Sequence, residues 1–212
     1  MIDQFKRKIE YVRISLTDRC NLRCRYCMPE HGVEKLQHKD ILTFAEILRI
    51  VRAMAALGVR KVRLTGGEPL VRRGIVELVQ AIHEVPGIEC VVMTTNGVLL
   101  SELAEPLIAA GLDGVNISLD TLRPEVFADI TRRPVLEKVC EGIRVLQAQG
   151  MKDIKFNCVP IQGVNEAEIP ALAGLAQDQA VRVRFIELMP IGCAYEVGYR
   201  GVAMAAVRHQ LE

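Results

Sequence analysis

Three cysteines, Cys20, Cys24 and Cys27, stand close together in the stretch TDRCNLRCRYCMP, with three and then two residues between them. A thiolate triple this tight can close on one metal centre. It supplies one ligand fewer than the four taken by a structural zinc ion or a cubane iron–sulfur cluster. A centre with one corner unclaimed by protein can bind a small molecule there. Arg19, Arg23 and Arg25 flank the sulfurs and are expected to favour thiolates over thiols. The same cysteines also suit a zinc knuckle closed by His31, four positions after Cys27. A disulfide pair finds no support elsewhere in the chain.

A second set of chemically telling residues is basic. Arg13, Lys61, Arg63, Lys155, Arg182 and Arg184 all fall in segments that read as β-strands. Residues two apart on a strand share a face, so Lys61 goes with Arg63 and Arg182 with Arg184. Strands of a parallel sheet covered by helices are expected to be nearly all apolar. Cations there need water or an anion, because an unpaired buried charge is expensive. Several from four strands would line an electropositive interior that a triphosphate suits. The plainer alternative is that each sits at a strand end and reaches water along its stem. Gly66-Gly67-Glu68-Pro69 follows one of these strands. Its glycines let backbone approach a ligand closely, or simply make a tight turn.

The elements that must position these residues repeat as strand then helix. Alternation predicts strands over 11–16, 61–65, 89–94, 114–119, 154–159 and 181–187. Helical spacing predicts helices over 43–57, 75–84, 100–110 and 135–149, with a last one over 202–211. Thr43 and Glu46 form a capping box at the first. Asn165, with Glu168 three residues on, is expected to cap another. Six such repeats without a linker predict one domain over 1–212, a parallel sheet with helices packed outside. The pattern leaves open whether the sheet is doubly wound or a barrel. The cysteine loop, GGEP, TTNG, SLD and ELMP all follow carboxyl ends of strands. In parallel α/β architectures those ends share one face, and ligands bind there.

Bulk properties narrow the classes. The chain has 212 residues and a net charge of +1, so nothing argues for nucleic acid or an anionic membrane as partner. The absence of tryptophan makes base-stacking platforms unexpected. The amino terminus, MIDQFKRKIEYV, lacks the apolar stretch of a signal peptide, and no apolar run nears the ~20 residues of a membrane span. Seven cysteines, an odd number, fit a reducing, cytoplasmic setting. Of these, Cys90, Cys140 and Cys158 read as core residues and Cys193 as a loop residue.

The CxxxCxxC string, with Tyr26 before its third cysteine, resembles the radical S-adenosylmethionine (SAM) superfamily. The strings RISLTDRCNLRCRYCMP, RLTGGEPLVRRG, TTNG, NISLD, ITRR and RFIELMPIG resemble the GTP 3′,8-cyclase family within it, in order from 13 to 192. The resemblance implies a partial (β/α)6 barrel, which decides between the two sheets left open above. It implies a 4Fe–4S cluster on Cys20, Cys24 and Cys27, with SAM on the remaining iron and in contact with Tyr26, Gly67, Ser118 and Met189. It implies GTP as substrate, held by Arg13, Arg63, Thr94 and Lys155, with Arg184 on the triphosphate and Lys61 as a further candidate. The family's reaction is radical: hydrogen leaves C3′ of GTP and C3′ joins C8, a lyase step of molybdenum cofactor biosynthesis. An electron donor and a downstream cyclic pyranopterin monophosphate synthase are the implied partners, and a homodimer is possible in the family. One departure stands out. Family members carry a carboxyl-terminal region with three more cysteines for a second 4Fe–4S cluster, and a tail ending in two glycines. Neither occurs before Glu212, so a truncated member with an exposed barrel side and a tendency to self-associate is expected. Another radical SAM enzyme, such as a peptide-modifying one, and a zinc-stapled binding module remain the alternatives.

Overall fold

Six parallel strands are laid down in the order in which they occur in the chain. In the computed structural model, which describes residues 2–34, 36–189 and 192–212, these are β1 (Tyr11–Ser15), β2 (Lys61–Thr65), β3 (Cys90–Thr95), β4 (Gly114–Ser118), β5 (Asp153–Cys158) and β6 (Val181–Phe185). The sheet order is β1-β2-β3-β4-β5-β6. Each neighbouring pair is parallel. Helices connect them: α1 (Phe44–Ala56), α2 (Ile75–His83), α3 (Leu100–Ala109), α4 (Pro124–Thr131), α5 (Leu136–Ala148) and α6 (Ile169–Asp178), followed by the short α7 (Cys193–Glu196) and α8 (Met204–His209). The sheet begins at β1 and ends at β6 without closing on itself. This is the partial (β/α)6 barrel that the resemblance implies.

Strand chemistry divides cleanly by face. Val12, Ile14, Val62, Leu64, Val91 and Met93 point outward into the core under the helices, as do Val115, Ile117, Ile154 and Phe156. The alternate positions carry Arg13, Arg63, Thr94, Asn116, Lys155 and Arg184. Strand register places Arg13 beside Arg63, Thr94 beside Asn116, Asn116 beside Lys155, and Asn157 beside Arg184. The strands are therefore not nearly all apolar. Helices cover only the outer face, and the concave face of an unclosed barrel keeps its polar residues.

Local signals explain most element boundaries. Thr43 Oγ1 accepts from Glu46 N at 3.3 Å and the Glu46 carboxylate accepts from Thr43 N at 2.8 Å, the expected reciprocal box. Helix α4 was not anticipated. It starts at Pro124, whose missing N–H costs nothing in a first turn. Cys193 opens the one-turn helix α7 and is not a loop residue. Asn165 does not cap a helix by its side chain. Its amide donates to Asp120 O at 2.7 Å and Val159 O at 3.0 Å, and its carbonyl accepts from Ile161 N at 2.7 Å. A 3-10 turn, Glu166–Glu168, intervenes before α6. Glu168 reaches elsewhere too, accepting from Thr121 Oγ1 at 2.6 Å and Leu122 N at 2.9 Å.

Candidate active site

The cysteine loop is gripped from both sides at the carboxyl end of the sheet. On one side the turn after β2 reaches it: Gly67 N donates to Thr17 O and Glu68 N to Arg19 O, both at 2.7 Å. A Cβ on Gly66 would lie 2.6 Å from Thr17 O, and one on Gly67 would overlap Arg19 O. The close approach expected at this glycine pair is thus to the loop's own backbone. Glu68 is buried, and its carboxylate accepts from Leu70 N, Thr95 Oγ1 and Asn96 N at 2.7–3.0 Å. It ties the end of β3 to the end of β2. Burial pushes its carboxyl up, against those three donors.

On the other side the end of α4 reaches the loop. Arg23 N donates to Thr131 O at 3.0 Å and Arg25 N to Ile130 O at 2.9 Å. The Arg132 guanidinium donates to Arg23 O at 2.6 Å and Met28 O at 3.3 Å. The ITRR string, which carried no role in the sequence, is the segment that makes these contacts.

The thiols of Cys20, Cys24 and Cys27 are free and face one cavity of about 210 Å³, whose lining also includes Tyr26, Gly67 and Ser118. Three of the four residues expected to hold SAM are therefore brought together with the thiols. Met189 is not: it is 67% exposed and lies outside that lining. Pro190 and Ile191, the rest of the ELMP-Ile stretch, lie outside the described residues. Burial raises the pKa of all three thiols. Burial outweighs the flanking arginines: the charge of Arg23 lowers the Cys20 pKa, but by less than desolvation raises it, and no arginine is among the causes at Cys24 or Cys27. Arg23 spends its guanidinium on the carbonyls of Cys20 (2.6 Å) and Leu22 (2.7 Å), and Arg25 turns outward to Asp129 (2.6 Å). A bound metal centre would have to supply the positive charge that deprotonates these sulfurs.

The donor set fits an iron–sulfur cluster better than a zinc ion. Among the described residues no three His, Cys, Asp or Glu side chains converge tightly enough for a single metal ion. A cluster spreads its thiolates over separate irons and does not need that convergence. His31 is exposed and borders a different cavity, about 230 Å³, lined also by Asp18, Arg19 and Cys20 but not by Cys24 or Cys27.

Asp120 was missed as a site residue, although SLD ends on it. Its Oδ2 accepts from the Tyr26 hydroxyl at 2.6 Å and its Oδ1 from Val159 N at 2.8 Å. Burial pushes its carboxyl up, against those two donors. Tyr26 is thereby fixed between the cysteine loop and the end of β5. The signal was present in the sequence: a carboxylate directly after a strand that ends at the ligand face.

A larger cavity, about 730 Å³, occupies the concave face of the sheet. Arg13, Lys61, Arg63, Thr94 and Arg184 line it, together with Tyr11, Asn116 and Asn157. Four cations and no carboxylate face this space among the described lining residues. Arg63 is nearly buried (7% exposed) and is aimed by two bonds, to Tyr11 Oη at 2.6 Å and Thr94 Oγ1 at 3.1 Å. Lys155 departs from expectation. It is buried on the same face but off the lining, and its ammonium pairs with Asp153. Arg182 pairs with the same carboxylate. Burial depresses the Lys155 pKa, against its bond to Asp153, and the charges of Arg182 and Arg184 depress it further. Thr65 and Thr94 border both cavities, so the two spaces adjoin.

A partial barrel of six parallel strands with a three-cysteine loop at its carboxyl end defines a radical SAM type of domain. The family profile described as Radical SAM superfamily matches residues 14–176, and the chain belongs to that superfamily. The chain is similar to the GTP 3′,8-cyclase of Alkaliphilus metalliredigens, at 53% identity over 192 residues, 91% of this chain and 60% of that protein. It is similar also to the GTP 3′,8-cyclase of Peptoclostridium acidaminophilum, at 52% over 200 residues, 94% of this chain and 60% of that protein. The chain thus spans about 60% of the length of these relatives. Among solved structures it resembles Streptococcus suis SuiB bound to S-adenosylmethionine, with a TM-score of 0.75 at 20% identity, covering 96% of this chain and 47% of that one. It also resembles methylornithine synthase (PylB), with a TM-score of 0.69 at 18% identity, covering 97% and 62%. At such identities these two establish the fold alone. No helix among the described residues is long and apolar enough to cross a membrane.

Proposed function

We propose that the chain is the radical SAM core of a GTP 3′,8-cyclase. The observation that carries this reading is the adjacency of two cavities, one walled by three thiols and the other by four cations, with Thr65 and Thr94 common to both. Superfamily membership implies a 4Fe–4S cluster and SAM. Cys20, Cys24 and Cys27 are the residues that would hold that cluster; given one electron from an external donor, bound SAM would supply a 5′-deoxyadenosyl radical, with methionine as the leaving group. Gly67 and Ser118 form the walls against which SAM would lie, and Asp120 holds Tyr26 in place there.

The chain's own residues then have two tasks. Arg13, Lys61, Arg63 and Arg184 neutralise a triphosphate on the concave face, where guanidinium forks suit phosphate oxygens. Thr65 and Thr94 stand where the sugar must turn toward the thiol cavity if C3′ is to lose its hydrogen. A peptide without acidic side chains would leave these cations without counter-charges, so the lining favours a polyanion. Lys155 is a reserve cation, released from Asp153 if phosphate competes for it. An external electron donor, and delivery of the product to cyclic pyranopterin monophosphate synthase, complete the proposed setting.

Calorimetric titration tests the substrate half of this reading. GTP is expected to bind, and guanosine, which lacks the phosphates, far more weakly. Arg13→Ala and Arg184→Ala should each weaken GTP about tenfold or more. Equal affinities for GTP and guanosine would remove the cation-lined cavity as a triphosphate site.

A further inference from the structure

Positive charge gathers in a second place besides the concave face. Two further cavities meet at Arg19, the one of about 230 Å³ that His31 borders and one of about 610 Å³. Arg19 and Arg23 line the smaller, and Arg19, Arg72 and Arg73 line the larger. Asp18 is the one carboxylate among these lining residues, and it also accepts from Leu36 N at 2.9 Å. Four arginines against one carboxylate are a local excess in a chain whose net charge is only +1. Arg19 and Arg73 are exposed. No ion pair among the described residues holds Arg19, Arg72 or Arg73. Arg72 donates instead to Leu16 O at 2.6 Å and to Leu42 O, and lies over the Phe44 ring at 4.5 Å. Those partners hold the guanidinium in place and leave its charge uncompensated.

Chemistry and position narrow what this surface meets. Arg23 and Arg72 have spent guanidinium donors on backbone carbonyls, so they offer a field more than a fork. A small oxyanion wants free forks, whereas an acidic protein surface responds to the field. Cys20 is the one residue that lines both the 230 Å³ cavity and the thiol cavity, so the basic surface adjoins the cysteine loop. On the proposed function, a reading on which this inference rests, one electron must reach a cluster on that loop while nucleotide fills the concave face. We propose that Arg19, Arg72 and Arg73 form the docking face for an acidic one-electron carrier protein, whose electron enters on the Cys20 side. The carrier is oxidised by one electron and the cluster is reduced by one, with no bond formed between the proteins. Electron-transfer encounters of this kind bury little area, so their affinity leans on charge.

The test uses the 212-residue chain after anaerobic reconstitution, with a bacterial flavodoxin, an acidic one-electron flavoprotein, as probe. Oxidised flavodoxin is titrated onto the chain at low and at high ionic strength. Reduced flavodoxin is then mixed with it, and oxidation of the flavin to the semiquinone is followed. Binding should weaken as salt rises. A double variant, Arg19→Glu with Arg73→Glu, should bind about tenfold or more weakly at low salt and slow flavin oxidation by a similar factor. Arg73→Glu alone, which leaves the cysteine loop untouched, should show the same loss in smaller measure. Lys152→Glu changes the net charge as much as Arg73→Glu does, but at an exposed position just before β5, at the amino end of the sheet. It should alter neither readout. Dithionite, a small reductant that needs no docking, should reduce the cluster of every variant to the same extent. Arginine variants that bind flavodoxin as the unaltered chain does overturn the proposal. So does a Lys152→Glu variant weakened as much as Arg73→Glu. So does flavin oxidation that slows only where dithionite reduction fails as well, since the arginines then shape the cluster and not the docking. A chain that takes up no iron removes the cluster reading and this inference with it, an outcome distinct from a cluster that dithionite reduces and flavodoxin does not.

Discussion

At the residue scale, the side chains that shape the site work through one another. Tyr26 is held by Asp120, and Asp120 by Val159 N and Asn165. Removing the Tyr26 hydroxyl leaves a buried carboxylate oxygen without its donor, a loss of about 1–3 kcal/mol. Tyr26→Phe should therefore lower the unfolding free energy obtained from urea titration by that amount, whereas Tyr195→Phe, at an exposed position, should leave it unchanged. Equal effects would mean that the Tyr26–Asp120 bond does not brace the loop. The cysteines were legible in the sequence because three thiols at this spacing have few structural uses. Asp120 and Glu68 were harder to read, since a lone carboxylate after a strand gives no hint of which backbone N–H groups will turn toward it. The roles of Arg23 and Arg25 were misread for a related reason. Their charge was visible in the sequence, but not the carbonyls and carboxylate that their guanidinium groups would meet first.

At the scale of elements, the cysteine loop is an insert between two clamps, the GGEP turn and the end of α4. The second clamp includes a non-glycine residue in left-handed conformation, Arg132 at φ 56°, which costs of order 1–2 kcal/mol. Its guanidinium, donating to Arg23 O and Met28 O, offsets that cost. Arg132→Ala should lose those bonds and keep the strained backbone, destabilising by about 1–3 kcal/mol. Arg132→Gly should recover about 1 kcal/mol of this by relieving the backbone. A glycine variant less stable than the alanine one would show that backbone conformation is not what the side chain offsets. Periodicity predicted the six strands and most helices, because alternation and helical spacing follow directly from which face is buried. It missed α4, whose eight residues run into the ITRR string and bury only Phe127, Ile130 and Thr131. It missed the part that Asn165 plays, because a side chain that bridges loops looks in sequence like one that caps a helix.

At the scale of the whole molecule, one architectural choice explains both cavities. A sheet that does not close keeps a concave polar face. Its carboxyl ends gather motifs from residues 20 to 120 onto one rim. Cations rise from below that rim, and thiols crown it. This division was readable from strand-borne arginines and loop-borne cysteines, and the pairing of Lys155 with Asp153, two apart on β5, follows from the same rule once β5 is seen to start at Asp153, whereas the pairing of Arg182 with Asp153 required the register of β5 against β6. We propose that the thiols of Cys20, Cys24 and Cys27 hold an iron–sulfur cluster on which SAM can be cleaved. The most direct measurement is iron and sulfide content after anaerobic reconstitution, read alongside 5′-deoxyadenosine formation from SAM and reductant, for the unaltered chain and for Cys24→Ala. About four irons and four sulfides per chain are expected, with nucleoside release that disappears in the variant. A colourless protein that takes up zinc, or a Cys24→Ala variant that still releases 5′-deoxyadenosine at the original yield, would contradict it.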